Sequence, residues 1–206
     1  MAAKKKIESY DHVLVVEGYR DLLFYAEVLE ALGKHEDVFI KELGGKDAFS
    51  LKLEDFVTPA LLAKKLSLAF MVDGDSDPQK TRQTLESVLS RITSQRVVEG
   101  KWTGGTPKIG FMVVPDSDTR GEIETLVWQS WSVDPANSAQ RKCVEDYVSC
   151  MRSQGVSAHS PDKGLIGALL ALKSDEDPRL GPGARTKVFD LQRPELQRLR
   201  DFLSVF

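Results

Sequence analysis

The stretch HVLVVEGYRDLLFYAEVLEALG, residues 12–33, decides the fold of this chain. Residues 12–16 form a short, largely β-branched apolar run, which is typical of a buried parallel strand. Glu17 and the glycine after it end the run. Apolar residues then recur at helical spacing over residues 21–32, up to a helix-ending Gly33. The chain therefore opens with a strand, a turn and a helix.

The same alternation continues along the chain. Further extended segments are predicted over residues 38–43, 67–72, 95–101, 108–114 and 188–191. Helices are predicted over residues 47–56, 59–66, 78–94, 123–131, 138–154, 163–172 and 194–206, with a loop over residues 177–183. Strands that alternate with helices imply crossover connections and a mainly parallel, Rossmann-like sheet flanked by helices. We expect one α/β domain over residues 1–206, with a core at about 10–135 and a helical C-terminal extension at about 136–206.

The composition narrows the class of protein. The chain has 206 residues, a hydrophobic fraction of 41% and a formal net charge of -3, so it has enough apolar residues for a core. A protein that binds nucleic acid by charge alone is normally basic. If this chain binds nucleic acid, metal ions and a local basic patch must therefore offset its acidic surface.

The termini and the cysteines indicate the compartment. No long apolar segment follows the lysines at the start of the chain, so we expect neither a signal peptide nor a membrane anchor. Cys143 and Cys150 lie on one predicted helix, roughly 10 Å apart by helical rise, which is too far for a disulfide. We expect both to be packing residues of a protein in the reducing cytoplasm.

Acidic residues follow three of the predicted strands. These residues are Glu17 and Asp21, then Asp73, Asp75 and Asp77, then Asp116, Asp118, Glu122 and Glu124. The carboxyl ends of parallel strands share one edge of the sheet, so the acids are expected in one crevice. Carboxylates that crowd together raise each other's pKa, and a divalent cation removes that conflict. Ligands that are all oxygen favour Mg²⁺ or Mn²⁺ over zinc.

Some of these acids have simpler interpretations. Asp77 precedes a proline and fits a helix cap, and Asp116 and Asp118 fit a turn. Glu122 is expected to be a solvated surface acid. Glu17 extends a buried strand and is favoured as a ligand or catalytic group. The pair Asp73 and Asp75 is favoured in the same way.

Residues 44–46, Gly-Gly-Lys, open a predicted helix. The amide of Gly45 and the side chain of Lys46 are candidates for a phosphate site. A plain turn is the alternative.

Two of these segments resemble known motifs. Residues 15–21, VVEGYRD, resemble the first Toprim motif, in which a strand is followed by Glu-Gly and by an acid four residues after the Glu. Residues 70–75, FMVDGD, resemble the second motif, a strand followed by Asp-x-Asp. Over nearly its full length the chain is similar to an uncharacterised bacterial Toprim-like family, related to the Toprim domain of OLD-type nucleases. Residues 44–46, 115–116, 121–124, 177–178, 189–190 and 201–203 also match its pattern.

The resemblance implies a Toprim-like fold and specific roles for the site residues. Glu17 is a metal ligand or general base, Asp73 and Asp75 are the main metal pair, Asp21 supports or binds the metal, Glu124 serves a second metal, and Lys163 is a catalytic lysine that stabilises charge. OLD nucleases also carry an ATPase domain, and the sequence has no G-x-x-x-x-G-K-[ST]. The resemblance thus implies either activity of this domain alone or a protein partner that supplies an ATPase or binding function.

Three functions remain open from the sequence. The favoured one is Mg²⁺- or Mn²⁺-dependent cleavage of phosphodiesters in nucleic acid. The second is a metal-ordered module that binds nucleic acid or a protein without turnover. The third is a phosphatase of the haloacid-dehalogenase type, because residues 70–75 also resemble its strand-Asp-x-Asp, with Asp73 as nucleophile and Asp116 and Asp118 as later acids.

Overall fold

The protein is described from a computed structural model that covers residues 6–158, 160–173 and 177–206. Over these residues, four strands form one sheet, in which every neighbouring pair is parallel and the strand order is β2-β1-β3-β4. The strands are β1 (His12–Val16), β2 (Val38–Glu42), β3 (Ser67–Asp73) and β4 (Lys108–Val114). The predicted parallel α/β fold is confirmed.

Helices follow each strand. They are α1 (Tyr19–Ala31), α2 (Lys46–Phe56), α3 (Pro59–Leu62), α4 (Pro78–Thr93), α5 (Ile123–Ser132), α6 (Ser138–Ser153), α7 (Pro161–Lys173), α8 (Leu180–Arg185) and α9 (Gln197–Leu203). Within the described parts of the chain, none has the length and apolar character needed to cross a membrane.

Both faces of the sheet are buried. Side chains alternate along each strand, so Leu14 and Val16 of β1 enter one apolar cluster while Val13 and Val15 enter the other. The first cluster lies under α1, α5 and the C-terminal helices α7–α9. The second lies under α2 and α4. This two-sided burial explains why the strands are continuously apolar.

Two predicted extended segments are wrong. Residues 95–101 form no strand, because backbone N–H groups that would donate to a neighbouring strand donate to side chains instead. Val97 N–H donates to Ser90 Oγ at 3.0 Å, and Glu99 N–H donates to Glu86 Oε1 at 3.2 Å. Residues 188–191 are also not a strand. The loop predicted over 177–183 is partly wrong, because α8 begins within it and packs against α1.

The C-terminal helices differ from expectation in their exposure. Cys143 and Cys150 are exposed thiols on α6, so their predicted packing role is wrong. On that helix only Val144 is buried. Helix α7 has an almost continuously apolar sequence, yet it buries one face, and Leu172 is 87% exposed.

Candidate functional site

The carboxyl edge of the sheet holds two acids in fixed positions. Glu17 follows β1 and Asp73 ends β3, and the N–H of Asp73 donates to Glu17 Oε1 at 3.0 Å. Asp73 Oδ1 accepts in turn from the N–H of Ile123, the first residue of α5, at 3.0 Å. Neighbouring strands and the start of α5 are thereby joined through carboxylates.

The turns beside these strands place two further acids. Asp21 lies in the first turn of α1, and its Oδ2 accepts from Gly18 N–H at 2.9 Å. Asp75 has a φ of +50°, which is uncommon for a residue with a side chain. Its backbone pairs with Gly121 through bonds of 2.6 and 2.9 Å, so the turn after β3 is attached to the start of α5.

Helix α5 brings in a buried acid pair. Glu122 is only 5% exposed, and its carboxylate accepts from Lys163 Nζ and from Ser160 Oγ. Glu124, two residues further on, is buried as well. Its Oε2 has no hydrogen-bond partner among the described residues. An unpartnered buried carboxylate oxygen is costly, so this atom is a candidate to receive a ligand.

These side chains surround one cavity of about 600 Å³. Its lining comprises Glu17, Gly18, Tyr19, Arg20, Asp21, Gly45, Asp73, Asp75, Glu122, Glu124, Lys163 and Arg179. A neighbouring cavity of about 390 Å³ shares Glu17, Asp73 and Asp75, and continues along the first turns of α4. A volume of this size is typical of small-ligand sites.

Burial and mutual repulsion disfavour the ionised forms of three acids in the cavity. Burial raises the pKa of Asp73 well above its usual value, and the charges of Asp21 and Glu17 raise it further. Burial also raises the pKa of Asp21, against the opposing effects of the Gly18 hydrogen bond and Lys163. The pKa of Glu124 rises to about 7, chiefly through burial.

Lys163 is the cation that faces these acids from α7. Burial tends to lower the pKa of its ammonium. The hydrogen bond to Glu122 and the charge of Glu124 outweigh burial, and the net shift is upward. Lys163 therefore stays protonated and offsets part of the negative charge.

A family described as "Protein of unknown function (DUF3226)" matches residues 11–206, which is nearly the entire chain. The chain belongs to the DUF3226 family.

Solved structures supply a fold relative of this DUF3226 chain. The platinum-phased structure of the C-terminal region of the Xanthomonas campestris pv. campestris OLD protein is similar, with a TM-score of 0.53 and 12% identity; the match covers 97% of this chain and 94% of that one. The iodine-phased structure of the same region gives a TM-score of 0.49 and 13% identity, over 95% of each chain. At this identity the likeness concerns the fold. No curated protein matches.

The DUF3226 chain brings most of the predicted site residues into one cavity. The five expected metal ligands Glu17, Asp21, Asp73, Asp75 and Glu124 all line it, as does Gly45. Yet within residues 6–158, 160–173 and 177–206, no three acidic, histidine or cysteine side chains lie close enough to hold a metal ion as placed. The observation that fits a cation is the partnerless Glu124 Oε2 beside an all-oxygen donor set.

The predicted phosphate site at Gly45 and Lys46 can be located only in part. Gly45 has a φ of +90°, and its N–H already donates to the carbonyl of Glu17 at 2.6 Å. That amide is therefore engaged within the fold. The side chain of Lys46 lies outside the described residues.

The remaining strand-end acids have structural roles. Asp77 caps α4 by accepting from Lys80 N–H at 3.0 Å. Asp116 Oδ1 accepts from the backbone N–H groups of Asp118 and Thr119, at 2.8 and 2.6 Å. The cap and turn interpretations of these residues are confirmed.

The sequence interpretation missed four residues that line the site, Tyr19, Arg20, Glu122 and Arg179. Glu122 was expected at the solvated surface, which is wrong, because Lys163 and Ser160 enclose it. Its position in the run Gly121–Glu124 was the available signal. Tyr19 and Arg179 also line the cavity; the second comes from the segment predicted as a loop and gave no signal in the sequence.

Proposed function

We propose that this DUF3226 chain is a Toprim-like domain that hydrolyses phosphodiesters in nucleic acid with the help of Mg²⁺ or Mn²⁺. The observation that carries the proposal is the buried Glu124 Oε2, which lacks a partner among the described residues in a cavity lined by four further candidate ligands. The proposal also rests on the Toprim-like motifs at residues 15–21 and 70–75.

The chemistry of the cavity favours a hard divalent cation. Several carboxylates share a partly buried space, and the pKa values of Asp73, Asp21 and Glu124 are raised. A bound cation stabilises their ionised forms and so restores ordinary acidity. Oxygen donors without sulfur or imidazole fit Mg²⁺ and Mn²⁺.

Each residue has a role in this proposal. Asp73 and Asp75 are the main ligands, with Glu17, Asp21 and Glu124 completing the donor set. When bound, the cation supplies a Lewis acid for the phosphate ester. Glu17 is the candidate general base, because it lies at the carboxyl edge next to Asp73. Lys163 keeps a positive charge beside the acids, where it offsets the charge of an incoming phosphate.

The two rival functions differ in their observable consequences. A module that binds nucleic acid or a protein without turnover retains metal affinity but cleaves nothing. A phosphatase of the haloacid-dehalogenase type needs Asp116 or Asp118 near the nucleophile. Neither residue lines the two cavities at the sheet edge, and Asp116 is engaged by its own turn, so the geometry favours the first proposal.

A metal-dependent nuclease assay tests the proposal. Purified protein is incubated with single-stranded DNA, duplex DNA and RNA, with Mg²⁺, Mn²⁺ or chelator. The variant Asp73→Asn/Asp75→Asn keeps the size of both side chains and an acceptor for Ile123 N–H, but removes two charges. Asp146→Asn, on the exposed face of α6, is the matched control.

Cleavage that requires metal, disappears in the double variant and persists in the control is the expected result. Metal binding by calorimetry without cleavage of any substrate would support the non-catalytic module instead. A covalent aspartyl-phosphate, or hydrolysis of a small phosphate monoester that Asp116→Asn abolishes, would support the phosphatase. Cleavage that survives in the double variant contradicts the proposed site.

A further inference from the structure

The mouth of the acidic cavity carries an aromatic ring and two guanidinium groups. Tyr19, Arg20 and Arg179 line the same cavity as the carboxylates. Tyr19 is 57% exposed, and the guanidinium carbon of Arg179 lies 5.7 Å from the centre of its ring. At that distance the cation interacts favourably with the ring. The rim thus differs chemically from the acidic floor.

The positions of these residues follow from the fold. Tyr19 and Arg20 are the first two residues of α1, directly after the Glu17-Gly18 turn. Arg179 precedes α8 and is held by Asp177, whose Oδ2 accepts from its Nε at 2.5 Å. Helix α8 packs on α1, so the guanidinium is brought against the tyrosine.

The contact does little to hold α8 in place. Gly181 already lies directly against Leu23, where an added Cβ would come within 2.6 Å of the leucine Cβ. Helix α8 thus packs closely on α1 at a point away from the tyrosine ring. An aromatic ring that leaves more than half of its surface in solvent buries little apolar area there, so much of the ring stays accessible to a ligand.

We propose that Tyr19, backed by Arg179, is a stacking platform for an unpaired base, and that the substrate is single-stranded nucleic acid. This inference rests on the proposed function of the adjacent carboxylates. Base–aromatic stacking needs an open face of the base, which a strand without its complement presents and a duplex encloses. Arg20 supplies positive charge for the backbone phosphates near an acidic floor, while the charge of Arg179 is shared with Asp177.

The spacing suits one nucleotide. Tyr19 is two residues from Glu17, so their Cα atoms are at most about 7.6 Å apart along the chain. Since Tyr19 and the carboxylates line the same cavity, a base on the ring and its adjoining phosphate near the carboxylates fall within one site. The cavity volume of about 600 Å³ accommodates such a unit.

Binding is measured separately from cleavage to test this. Fluorescence anisotropy follows labelled DNA and RNA strands of about 12 nucleotides, a length within the site sizes of single-strand binders, and the matching DNA duplex. Ca²⁺ replaces Mg²⁺, so that the carboxylates are neutralised. The variants are Tyr19→Phe, Tyr19→Trp and Tyr19→Leu. Tyr147→Leu is the control, because Tyr147 on α6 is also 57% exposed.

The wild type is expected to bind a single strand more tightly than the duplex. Tyr19→Leu is expected to weaken single-strand binding about 5- to 150-fold, while Phe and Trp retain it. Duplex binding and the thermal midpoint stay unchanged in all three variants, and Tyr147→Leu behaves as the wild type. A structural role for Tyr19 would instead lower the thermal midpoint without changing the preference between strands.

The result separates this inference from the proposed function. Equal binding of single strand and duplex, or a Tyr19→Leu variant that binds as the wild type, overturns the platform even if the enzyme cleaves. Single-strand binding that depends on the aromatic ring, without any cleavage, supports the platform and counts against hydrolysis. Absence of binding to every nucleic acid tested overturns the platform.

Discussion

Replacing Glu124 by Gln should change how the stability of the protein depends on pH. The pKa of Glu124 rises from 4.5 to about 7 on folding, mainly because the side chain is buried. Between these values the folded chain keeps a proton that the unfolded chain has lost, so wild-type stability falls as the pH rises through this interval. At 1.36 kcal/mol per pKa unit, the loss from this residue is about 3 kcal/mol at pH 8.

The glutamine variant lacks this titration. Its free energy of unfolding, measured by urea denaturation in chelator, should therefore gain about 3 kcal/mol relative to the wild type between pH 4 and pH 8. The comparison is of slopes, so any fixed cost of burying the amide cancels. A residual slope from Asp73 and Asp21, whose pKa values are also raised, should remain in both proteins.

Glu30→Gln is the matched control, because that side chain is 70% exposed on α1. It should differ from the wild type by less than about 0.5 kcal/mol at every pH. If the difference between Glu124→Gln and the wild type is the same at pH 4 and at pH 8, the carboxyl is not held in a site that resists ionisation. The reasoning about the site would then be refuted.

Further predictions concern the ion pair, the helix contact and the cation. Lys163→Met should lower the free energy of unfolding, measured by urea denaturation, by about 3 kcal/mol, because it leaves a buried carboxylate without its cation. The control Lys142→Met, in an exposed ion pair, should lower it by less than about 1 kcal/mol. Gly181→Ala should lower the free energy of unfolding by about 1–3 kcal/mol, since the added Cβ would meet the backbone of α1. Gly167→Ala, which has open space around it, should raise the free energy of unfolding by about 0.5–1 kcal/mol. Mg²⁺ at pH 8 should raise the thermal midpoint of the wild type more than that of Glu124→Gln; equal shifts would contradict a role for this residue in binding the cation.

The strands were predictable because their signal is local. Residues 67–72 and 108–114 are continuously apolar, and burial on both faces of the sheet produces that pattern directly. Helix α8 was not predictable in the same way. Its sequence, Leu180–Arg185, contains two glycines and a proline, and the segment is helical because it packs on α1. Residues 95–101 have the composition of a strand, but two of their backbone N–H groups donate to side chains of α4, so the predicted strand does not form.

The site residues show the same difference between positions that local sequence predicts and positions that depend on tertiary contacts. The position of Glu17 and Asp73 follows from strand ends that must share an edge, which the sequence reveals. The run Gly121–Glu124 could have drawn attention to Glu122, but its burial depends on where α7 places Lys163, and the local sequence does not specify that distant packing. Side chains that depend on tertiary contacts across the chain were therefore placed only by the structure.

The contact between Trp102 and α9 bears on how the protein is made. The indole of Trp102 stacks on Phe202 and donates to its carbonyl at 3.0 Å, a partner 100 residues later in the chain. During synthesis, the strands around this tryptophan leave the ribosome long before the helix that covers them. Until α9 emerges, the apolar side chains that it covers have no partner in the nascent chain, so this part of the core closes last in synthesis.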